Sequence, residues 1–508
     1  MDKNIFSLIE KSVKNNPITI ALTHGTESFT YQELLIVIRN LSSYITKHAG
    51  VAIKDKYIPI YISSPVQAII TQLAILHGGG ICVPLDSDTP LSYYPLNKLN
   101  NIACILTDKE ELLHEAPYPV IQVPKTIDNN LTFAPESLLD THHFAEHTHC
   151  IMTSGTTGTS KAVLLKQEGV INQIFAKIKL LNITNNDKVC FSMKTSFVAS
   201  IWQIYAPLFV GGTLVVLSKE EKSNPYSIFK AAQKTESTIL CTVPSVMRTF
   251  LSLNTGTRQL PLRSLTNIVL TGESLSASIV KPFYEKYDIQ LINAYGQSEC
   301  SDDTFHYVVP KDFASESSSI PIGYPIENIT YAIVDGSGQP VKAGEIGELY
   351  IAGLCLSPGY IGDKTLTKSV FNKTAALNGD IAFSTGDLVS QSKEGYLICH
   401  GRKDNQIKIN GNRIEPEAIE FCCMKIHEIE DALVIKKESQ AGEYISLYYV
   451  IKEGIAVEPK YIKRYLSKQL PAYMLPSEIV KIDKIYFNSN GKKIRKVYAK
   501  ECKTEIEH

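Results

Sequence analysis

Apolar runs alternate with stretches of helical periodicity along most of the first four hundred residues. Several of these runs have the composition of buried strands: YIPIYIS (57–63), ACILTD (103–108), CIMTS (150–154), GTLVVL (212–217), STILCTV (237–243), NIVLTG (267–272) and IQLINAYG (289–296). Between them, residues 66–76 and 226–234 carry apolar positions at helical spacing. This alternation predicts largely parallel sheets that are covered by helices.

The pattern changes near residue 320 to short strands and turns, and it changes again after residue 401. TYAIVDGSGQPV predicts a hairpin, and GELYIAG predicts a further strand. The polar stretch GRKDNQIKING then precedes a helix over 415–422, the strands DALVIKK and ISLYYVIK, and a helix over 459–469. We therefore predict an α/β fold with a large N-terminal domain of parallel-type sheets over 1–401, β-rich over 320–401. A hinge at 402–405 and a small, mobile α+β C-terminal domain over 406–508 would follow.

Composition and charge limit the classes of function. The chain has 508 residues, of which 44% are hydrophobic and 20% charged, and its formal net charge is −1. Such a balance gives no overall attraction to nucleic acid or to an anionic membrane. The N-terminus lacks the apolar core of a signal peptide, and no stretch is long and apolar enough to span a membrane. We expect a cytoplasmic protein with neither nucleic-acid nor membrane partners.

Cysteine and histidine residues give little support for a metal site. The eleven cysteines are scattered and include no CxxC pair. Histidines and one cysteine cluster at His142, His143, His147, His149 and Cys150, but without regular ligand spacing. Reduced thiols and the absence of zinc are the simpler expectation.

The stretch MTSGTTGTSKAV (152–163) joins small hydroxyl and glycine residues to a single lysine, Lys161. Backbone N–H groups and hydroxyls in such a loop can surround a polyanion such as a phosphate chain. The spacing differs from the GxxxxGK[ST] loop of nucleotide-binding proteins, and an ordinary surface turn is the alternative. Because a predicted strand leads directly into the loop, ligand binding gains support.

Further motifs follow this loop in a fixed order: NAYGQSE, FSTGDL, GRKDNQIKINGNRIEPEAIE and NGKKIRK. Together with FTYQELLIVIRNLSSYI (29–45), HGGGICVPLDSDTP (77–90), GELYIAGLCLSPGYIGD and LPAYMLP (470–476), they resemble the adenylate-forming superfamily. That superfamily includes acyl- and aryl-CoA synthetases, luciferase-type enzymes and the adenylation domains of nonribosomal peptide synthesis. The resemblance covers essentially the whole chain and is closer to the peptide-synthesis branch.

The resemblance implies that a carboxylate is joined to the α-phosphate of ATP with release of pyrophosphate, and that a thiol then displaces AMP. Lys161 would be the cation of the phosphate loop, although Ser160 and Ala162 replace the usual proline and glycine. The loop positions that would contact phosphate are Thr153, Ser154, Gly155, Thr156, Thr157 and Gly158.

Other motif positions are implied to bind the rest of the nucleotide. Tyr295 would stack on adenine, near Gly272, Glu273 and Asn293; a core tyrosine is the alternative. Glu299 would hold Mg2+, a hard cation that prefers carboxylate oxygen, although it could instead cap a helix. The ribose contacts would come from Asp387, which can accept from two hydroxyls, and from Arg402.

The C-terminal domain is implied to supply one catalytic cation. Lys492 matches the lysine that bridges the substrate carboxylate and the α-phosphate, with Lys493 as the competing candidate. Ile494 replaces the usual aspartate two residues on, and Lys493, Arg495 and Lys496 could form a solvated basic tail. Asp404 would be the hinge, and the loop near Gly411 would border the path of the thiol.

The acid pocket departs from the family pattern for α-amino acids. Val198 stands where an aspartate would pair with the α-ammonium, and a buried ammonium beside valine would be unpaired. We expect instead that Asp302 or Asp303 binds an amine of a β- or ω-amino acid, with Trp202 as a wall. The alternative is that Asp302 caps a helix or faces solvent and that the acid is neutral. The implied lining is Phe197, Val198, Ala199, Trp202, Thr242, Val269, Thr271, Ala294, Asp302, Asp303 and Lys492.

The acceptor of the acyl group is left open by the sequence. No carrier-type GGxS site follows NGKKIRK, which leads us to expect a free-standing ligase that serves a separate carrier protein through its phosphopantetheine, or free CoA. Lys408, Arg413, Lys481 and Lys484 could meet an acidic carrier or the phosphates of CoA. A non-catalytic nucleotide-binding protein and a luciferase-type oxygenase are further alternatives.

Overall fold

A computed structural model describes residues 4–114, 117–124, 145–154, 160–313, 319–439, 442–452, 457–486 and 493–498. It contains two compact units. The first comprises Met1–Asp86, Asn97–Met152 and Ala162–Lys403, and the second comprises Ser87–Leu96, Thr153–Lys161 and Asp404–His508.

The helices among the described residues are α1 (Ile5–Asn15), α2 (Tyr31–Ala49), α3 (Pro65–His77), α4 (Gln167–Leu181), α5 (Ser200–Val210), α6 (Pro225–Lys234), α7 (Pro244–Leu253), α8 (Ala277–Tyr284), α9 (Lys364–Val370), α10 (Pro416–Met424), α11 (Pro459–Ser467) and α12 (Arg495–Tyr498). Their ends follow local sequence signals. For example, a capping box between Thr30 and Glu33 starts α2, and Gly50 ends it in the left-handed conformation.

The strands in chain order are β1 (Ile20–His24), β2 (Glu27–Thr30), β3 (Tyr57–Tyr61), β4 (Ile81–Pro84), β5 (Ile105–Thr107), β6 (Val120–Gln122), β7 (His147–Thr153), β8 (Lys161–Lys166), β9 (Lys188–Phe191), β10 (Thr213–Val216), β11 (Ile239–Thr242), β12 (Asn267–Leu270), β13 (Gln290–Gln297), β14 (Asp302–Val309), β15 (Tyr324–Pro325), β16 (Ile329–Val334), β17 (Gly347–Gly353), β18 (Phe371–Lys373), β19 (Ile381–Gln391), β20 (Leu397–Arg402), β21 (Ile407–Ile409), β22 (Asn412–Ile414), β23 (Ile429–Ser439), β24 (Gly442–Ile451) and β25 (Glu478–Lys481).

The largest sheet of the first unit has nine strands in the order β15-β14-β13-β12-β11-β9-β10-β1-β2. Its centre, from β13 to β1, is parallel, whereas β14, β15 and β2 add antiparallel edges. The central strands are buried along almost their whole length, which explains why they read as continuous apolar runs. This sheet brings the ends of β11, β12 and β13 to one edge.

Two further sheets complete the first unit. A six-stranded sheet has the order β6-β5-β3-β4-β7-β8 and is parallel from β6 to β7. A smaller antiparallel sheet orders its strands β16-β17-β19-β18, and β20 pairs with β19. The α/β fold class predicted from the sequence is confirmed.

The second unit contains a short hairpin of β21 and β22 and the three-stranded sheet β23-β24-β25. β23 and β24 are antiparallel, and β25 joins β24 in parallel. Helix α10 packs on β23, and α11 packs on α10 and β25. The chain turns between β21 and β22 at Asn410 and Gly411, both of which have positive φ, as a two-residue hairpin loop requires.

Each apolar run predicted as a buried strand contains a strand, and the helices predicted over 66–76 and 226–234 correspond to α3 and α6. TYAIVDGSGQPV turns back on itself as predicted, but the returning arm is short. Its first half is β16, whose ladder partner is β17, and the returning arm forms the antiparallel bridge between Val334 and Pro340 and a hydrogen bond from Val341 N to the Ile333 carbonyl oxygen. Strand β14 was not predicted, because it begins with two aspartates instead of an apolar run.

Candidate active site

A close approach of two strands shapes the edge of the nine-stranded sheet. β13 leads through a short 3-10 helix, Ser298–Cys300, into the antiparallel β14. Gly296 lies so near β14 that a Cβ atom there would be 2.0 Å from the Asp302 carbonyl oxygen and 2.4 Å from the Asp303 Cα. Only glycine allows this approach, which gives a structural reason for the glycine of NAYGQSE.

Asp387 is the centre of a buried hydrogen-bond network in the first unit. The Tyr295 hydroxyl and Gln297 Nε2 donate to Asp387 Oδ2 over 2.5 and 2.7 Å. Arg402 Nη1 donates to Asp387 Oδ1 over 3.0 Å. Strands β13, β19 and β20 thus bring three predicted nucleotide-binding residues, Tyr295, Asp387 and Arg402, into direct contact.

The network limits how Asp387 could accept further groups. A carboxylate has about four lone-pair positions, and three are used within the chain. If Asp387 accepted hydrogen bonds from two ribose hydroxyls, at least one of these three donors would therefore be displaced. Tyr295 is 9% exposed, and burial together with the Asp387 carboxylate raises the pKa of Tyr295 well above its usual value. Tyr295 is thus a protonated donor, and its stacking on adenine stays a prediction.

Glu299 is fully buried in the 3-10 helix and accepts a hydrogen bond of 2.7 Å from the Tyr360 hydroxyl. This short helix has Gln297 at its N-cap and no side-chain cap hydrogen bond, so Glu299 is not the helix cap that was the alternative. No group of three or more histidine, cysteine, aspartate or glutamate residues that could hold a metal occurs in the described part of the chain. Mg2+ needs no such cage, because it is usually held by one or two carboxylates together with substrate phosphates. The single carboxylate of Glu299 fits that requirement.

Two other predicted nucleotide residues have structural partners. Glu273 follows Gly272, which has a φ of 85°, and its carboxylate accepts from the backbone N and Oγ of Ser245 at the start of α7. The Asn293 side chain donates to the carbonyl oxygens of Ile320 and Pro321. Both side chains thus hold neighbouring elements together, and their contact with nucleotide stays a prediction.

A buried polar group, here called the Lys177 cluster, occupies the predicted acid pocket; its members are Lys177, Thr271, Asp302, Asp303 and His306. Lys177 Nζ lies 2.7 Å from Asp303 Oδ2 and 2.8 Å from His306 Nε2. Thr271 Oγ1 donates to Asp303 Oδ1 over 2.6 Å. Burial and the Lys177 charge lower the pKa of His306 well below its usual value, so its Nε2 can accept from the ammonium. Both oxygens of Asp303 therefore have partners within the protein.

Asp302 differs from its neighbour. It is 4% exposed, and its Oδ2 has no hydrogen-bond partner. Its backbone φ is 118°, directly after Ser301 with a φ of 60°; such conformations cost about 1–3 kcal/mol each in residues other than glycine. Burial, then the charge of Asp303, raises the pKa of Asp302 well above its usual value, while Lys177 opposes that shift.

The alternative in which Asp302 caps a helix or faces solvent is wrong. Asp302 is the first residue of a strand, and it is buried. An apolar sequence pattern could not reveal this, since the strand follows from pairing with β13 across Gly296.

The remaining predicted lining residues lie on elements that meet the cluster. Trp202 is 1% exposed on α5, its ring lies 5.5 Å from Lys177 Nζ, and its Nε1 has no hydrogen-bond partner. Phe197 and Val198 are half-buried in the turn before α5. The other lining residues are buried: Ala199, Thr242, Val269 and Ala294.

Lys177 was missed by the sequence analysis, although the sequence carries a signal for it. Val170, Ile174, Lys177 and Leu181 repeat at helical spacing and are all buried on one face of α4. A lysine on an apolar stripe is seldom fully buried unless it is paired. The periodicity alone could therefore have indicated a buried partner carboxylate.

Within the second unit, the described ends of the predicted phosphate loop contact residues near the β21–β22 hairpin. Ser154 Oγ donates to the Arg413 carbonyl oxygen over 2.6 Å. Lys161 Nζ lies 3.5 Å from Glu415 Oε1. The Thr153 hydroxyl is buried without a hydrogen-bond partner. The intervening loop positions Gly155, Thr156, Thr157 and Gly158 lie outside the described residues.

Lys493 and Arg495 do not form a solvated tail, contrary to the interpretation that the sequence left open. Lys493 Nζ contacts Asp431 Oδ1 and the Ala432 carbonyl oxygen, each at 2.6 Å. Arg495 pairs with Glu417 over 2.7 Å and also with Glu420. Both cations form ion pairs inside the second unit, and Lys493 is therefore poorly suited to reach a substrate. Lys492 lies outside the described residues.

The predicted hinge and thiol-path residues belong to the second unit. Asp404 is its first residue after Lys403, and its Oδ1 accepts from the Gln406 backbone. Gly411 has a φ of 75° in the β21–β22 turn. Their roles in domain motion and thiol access stay predictions.

The histidine cluster gives no sign of a metal among the described residues. His149 is fully buried, and its Nε2 lies 3.4 Å from the Tyr205 hydroxyl. Burial lowers the pKa of His149 from 6.5 to about 3. His142 and His143 lie outside the described residues. In the described chain, none of the helices has the length and apolar character to cross a membrane.

Comparison with known proteins places this arrangement in a family. A family model described as "AMP-binding enzyme" matches residues 9–361. The chain is 29% identical over 492 residues to Tyrocidine synthase 3 of Brevibacillus parabrevis, covering 97% of the chain but 8% of that protein. It is 28% identical over 506 residues to Zwittermicin A synthase ZmaJ of Bacillus cereus, covering 98% of the chain and 95% of that relative.

The fold has close solved counterparts. NpsA-ThdA, an artificially fused Adenylation-PCP di-domain NRPS from Klebsiella oxytoca, superposes with a TM-score of 0.81 at 22% identity, covering 94% of this chain and 93% of the other. This likeness concerns the fold. The family match covers more than half of the chain and includes the β13–β14 turn and the Lys177 cluster. The chain therefore belongs to the family of AMP-binding enzymes, the adenylate-forming ligases.

Proposed function

We propose that this enzyme activates a carboxylic acid that carries an amine at the β-carbon or farther along its chain, and passes the acyl group to the phosphopantetheine thiol of a separate carrier protein. In the first step, a carboxylate oxygen attacks the α-phosphorus of ATP. The bond from that phosphorus to the bridging oxygen breaks, and pyrophosphate leaves. In the second step, the thiol attacks the acyl carbon, the thiol proton is lost, and AMP leaves.

The first step brings two anions together, so positive charge must compensate their repulsion. We assign Lys492 to the space between the substrate carboxylate and the α-phosphate, and Lys161 to the β- and γ-phosphates. Glu299 would hold Mg2+, which neutralises phosphate charge when it is bound. The resemblance of the surrounding motifs supports these roles.

The nucleoside would be held by Tyr295, Asp387 and Arg402. Their mutual hydrogen bonds within the first unit support a shared role. Asp387 would accept from the ribose by exchanging one of its present donors, Tyr295 or Gln297, for a hydroxyl. Hydrogen bonds of this kind often tighten only when the substrate is bound.

The two half-reactions need different surroundings for the same acyl group. We propose that the C-terminal domain rotates about Asp404 after adenylation, withdraws Lys492, and presents the segment near Gly411 to the thiol. Alternation about a hinge is an established means of running two steps in one cleft.

One observation carries the substrate assignment: Val198 offers no partner for an α-ammonium, whereas a carboxylate is buried nearby in the Lys177 cluster. Asp302 Oδ2 is buried without a hydrogen-bond partner, which is costly, and a substrate ammonium would supply that partner. An amine that is displaced from the α-carbon would avoid Val198 and could reach the buried carboxylate.

A carrier protein as acceptor is supported by the relatives. NpsA-ThdA joins an adenylation domain to a PCP domain by artificial fusion. The basic side chains of Lys408, Arg413, Lys481 and Lys484 would suit an acidic partner.

The direct test is mass spectrometry of acyl-adenylates formed from a mixed pool of neutral acids, α-, β- and ω-amino acids and dicarboxylic acids. We expect adenylates of β- or ω-amino acids to dominate, and the acyl group to appear on a phosphopantetheinylated carrier faster than on CoA. Dominance of α-aminoacyl or neutral acyl adenylates would contradict the substrate assignment. Faster transfer to CoA would contradict the carrier assignment.

A further inference from the structure

The Lys177 cluster contains two carboxylates but only one lysine. Lys177 and Asp303 form an ion pair at 2.7 Å, with side-chain exposures of 0% and 2%. The second oxygen of Asp303 is occupied by Thr271 at 2.6 Å. Asp303 is thus compensated in charge, and each of its oxygens has a hydrogen-bond partner without any ligand.

Lys177 is equally committed. An ammonium has three protons to donate, and two of them are directed at Asp303 and at His306 Nε2. The indole ring of Trp202 lies 5.5 Å from the same ammonium. A substrate with a second carboxylate would have to compete with Asp303 for Lys177.

Asp302 is the member of the cluster with an unsatisfied oxygen, although the Lys177 charge and a hydrogen bond from the Asp303 backbone partly stabilise its carboxylate. Its Oδ2 is buried and has no hydrogen-bond partner. The left-handed backbone at Ser301 and Asp302 is unfavourable for both residue types, yet it fixes this carboxylate beside the ion pair. Strained positions that hold an unsatisfied buried polar group are typical of functional sites.

We propose that Asp302, and not Asp303, accepts the ammonium of the substrate, and that Lys177 is a specificity-determining positioning residue that keeps Asp303 from competing for it. This inference rests on the proposed function. Binding of one cation brings the cluster to a balance of two carboxylates and two ammonium groups. A substrate with a methyl group in place of the ammonium leaves Asp302 unpaired.

The test uses pairs of acids that differ only by ammonium against methyl: β-alanine with butanoate, 4-aminobutanoate with pentanoate, and 3-(aminomethyl)benzoate with 3-ethylbenzoate. For each pair, kcat/KM is measured by ATP–pyrophosphate exchange, and the ratio of the amine to its methyl isostere is compared between variants. Because both acids are assayed on the same preparation, the ratio is independent of the fraction of folded enzyme.

In the wild type, we expect the amine to be preferred in at least one pair. Asp302→Asn should lower that ratio by about 10- to 150-fold, the range for a hydrogen bond to a charged group. The double variant Lys177→Met, Asp303→Asn removes the positioning residue together with the competing carboxylate. It should still prefer the amine to its methyl isostere, since Asp302 is untouched.

If the double variant loses the preference while Asp302→Asn keeps it, Asp303 is the anchor and the inference is overturned. If the wild type forms adenylates only of neutral acids, or of succinate and glutarate, the inference fails while adenylate formation stands. If the wild type forms no adenylate from the mixed acid pool, the proposed function itself fails. Thermal unfolding of each variant shows whether a loss of both activities reflects folding.

Discussion

Lys177 Nζ donates to Asp303 Oδ2 over 2.7 Å, and neither side chain has more than 2% of its surface exposed. The pair joins helix α4 to strand β14 at the edge of the central sheet. A buried ion pair of this kind adds little net stability compared with an apolar pair, but it is costly to break from one side. The ion pair therefore fixes the position of Asp303 beside the predicted acid pocket.

Breaking this pair from one side should destabilise the fold strongly. Lys177→Met leaves Asp303 buried without its cation, and we expect the free energy of unfolding to fall by about 3–5 kcal/mol. The control Lys177→Met, Asp303→Leu removes both charges and should recover most of that loss. Guanidinium unfolding of the two variants provides the comparison. Equal stability of the single and double variants would show that Lys177 and Asp303 do not stabilise each other.

Asp302→Asn should make the protein more stable at neutral pH. The folded-state pKa of Asp302 is raised above its unfolded value, so the folded state binds more protons between these two pKa values. Wild-type stability therefore falls as pH rises through that window. The variant lacks this penalty, and its advantage should grow from near zero at about pH 4 to about 1–3 kcal/mol above the raised pKa. Unfolding curves of both proteins across pH measure this difference in the free energy of unfolding. A difference that is largest at acid pH would contradict the account.

Gly296→Ala should disrupt the turn between β13 and β14. The added Cβ would lie 2.0 Å from the Asp302 carbonyl oxygen, which is backbone and cannot move aside. We expect a loss of about 3 kcal/mol in the free energy of unfolding, at the upper end for an overpacked site. Gly336→Ala is the matched control, because no atom lies within 4 Å of its added Cβ. Similar melting temperatures of the two variants would argue against the close approach.

Asp387→Asn should weaken ATP binding selectively. An asparagine side chain would direct its NH2 group at either Arg402 or the Tyr295 hydroxyl, both of which donate in the structure. We expect KM for ATP to rise about 10- to 100-fold, since hydrogen bonds to a charged group are lost, with little change in KM for the acid. Tyr295→Phe keeps the aromatic ring and serves as the control; its KM for ATP should change by less than about fivefold. An unchanged KM in Asp387→Asn would contradict a ribose contact.

Much of the fold could be predicted because buried parallel strands have a simple sequence signature. The runs around Ile58, Leu240 and Ile292 are continuous and apolar, as strands covered on both faces must be. β14 could not be predicted in this way. Its start, Asp302 and Asp303, is polar, and its strand conformation follows from pairing across Gly296.

The candidate site was predictable to the same extent. Motif order indicated Tyr295, Asp387 and Arg402, and these side chains meet in the structure. Lys177 was not predicted because it belongs to no motif, and only its position on the apolar face of α4 distinguishes it. The partner of each aspartate could not be predicted, since it depends on contacts between distant elements.

The most direct measurement of the central claim compares Lys492→Ala with Lys493→Ala in two separate assays. Adenylation is followed by pyrophosphate exchange, and thiol transfer is followed from adenylate that has already been formed. Lys492→Ala removes a charge that compensates the transition state, so adenylation should be slowed about 100- to 1,000-fold. The rate of thiol transfer should stay within a few-fold of the wild-type rate. Lys493→Ala, which removes an ion pair inside the second unit, should lower thermal stability and keep adenylation near wild type. Adenylation at the wild-type rate in Lys492→Ala would contradict the account.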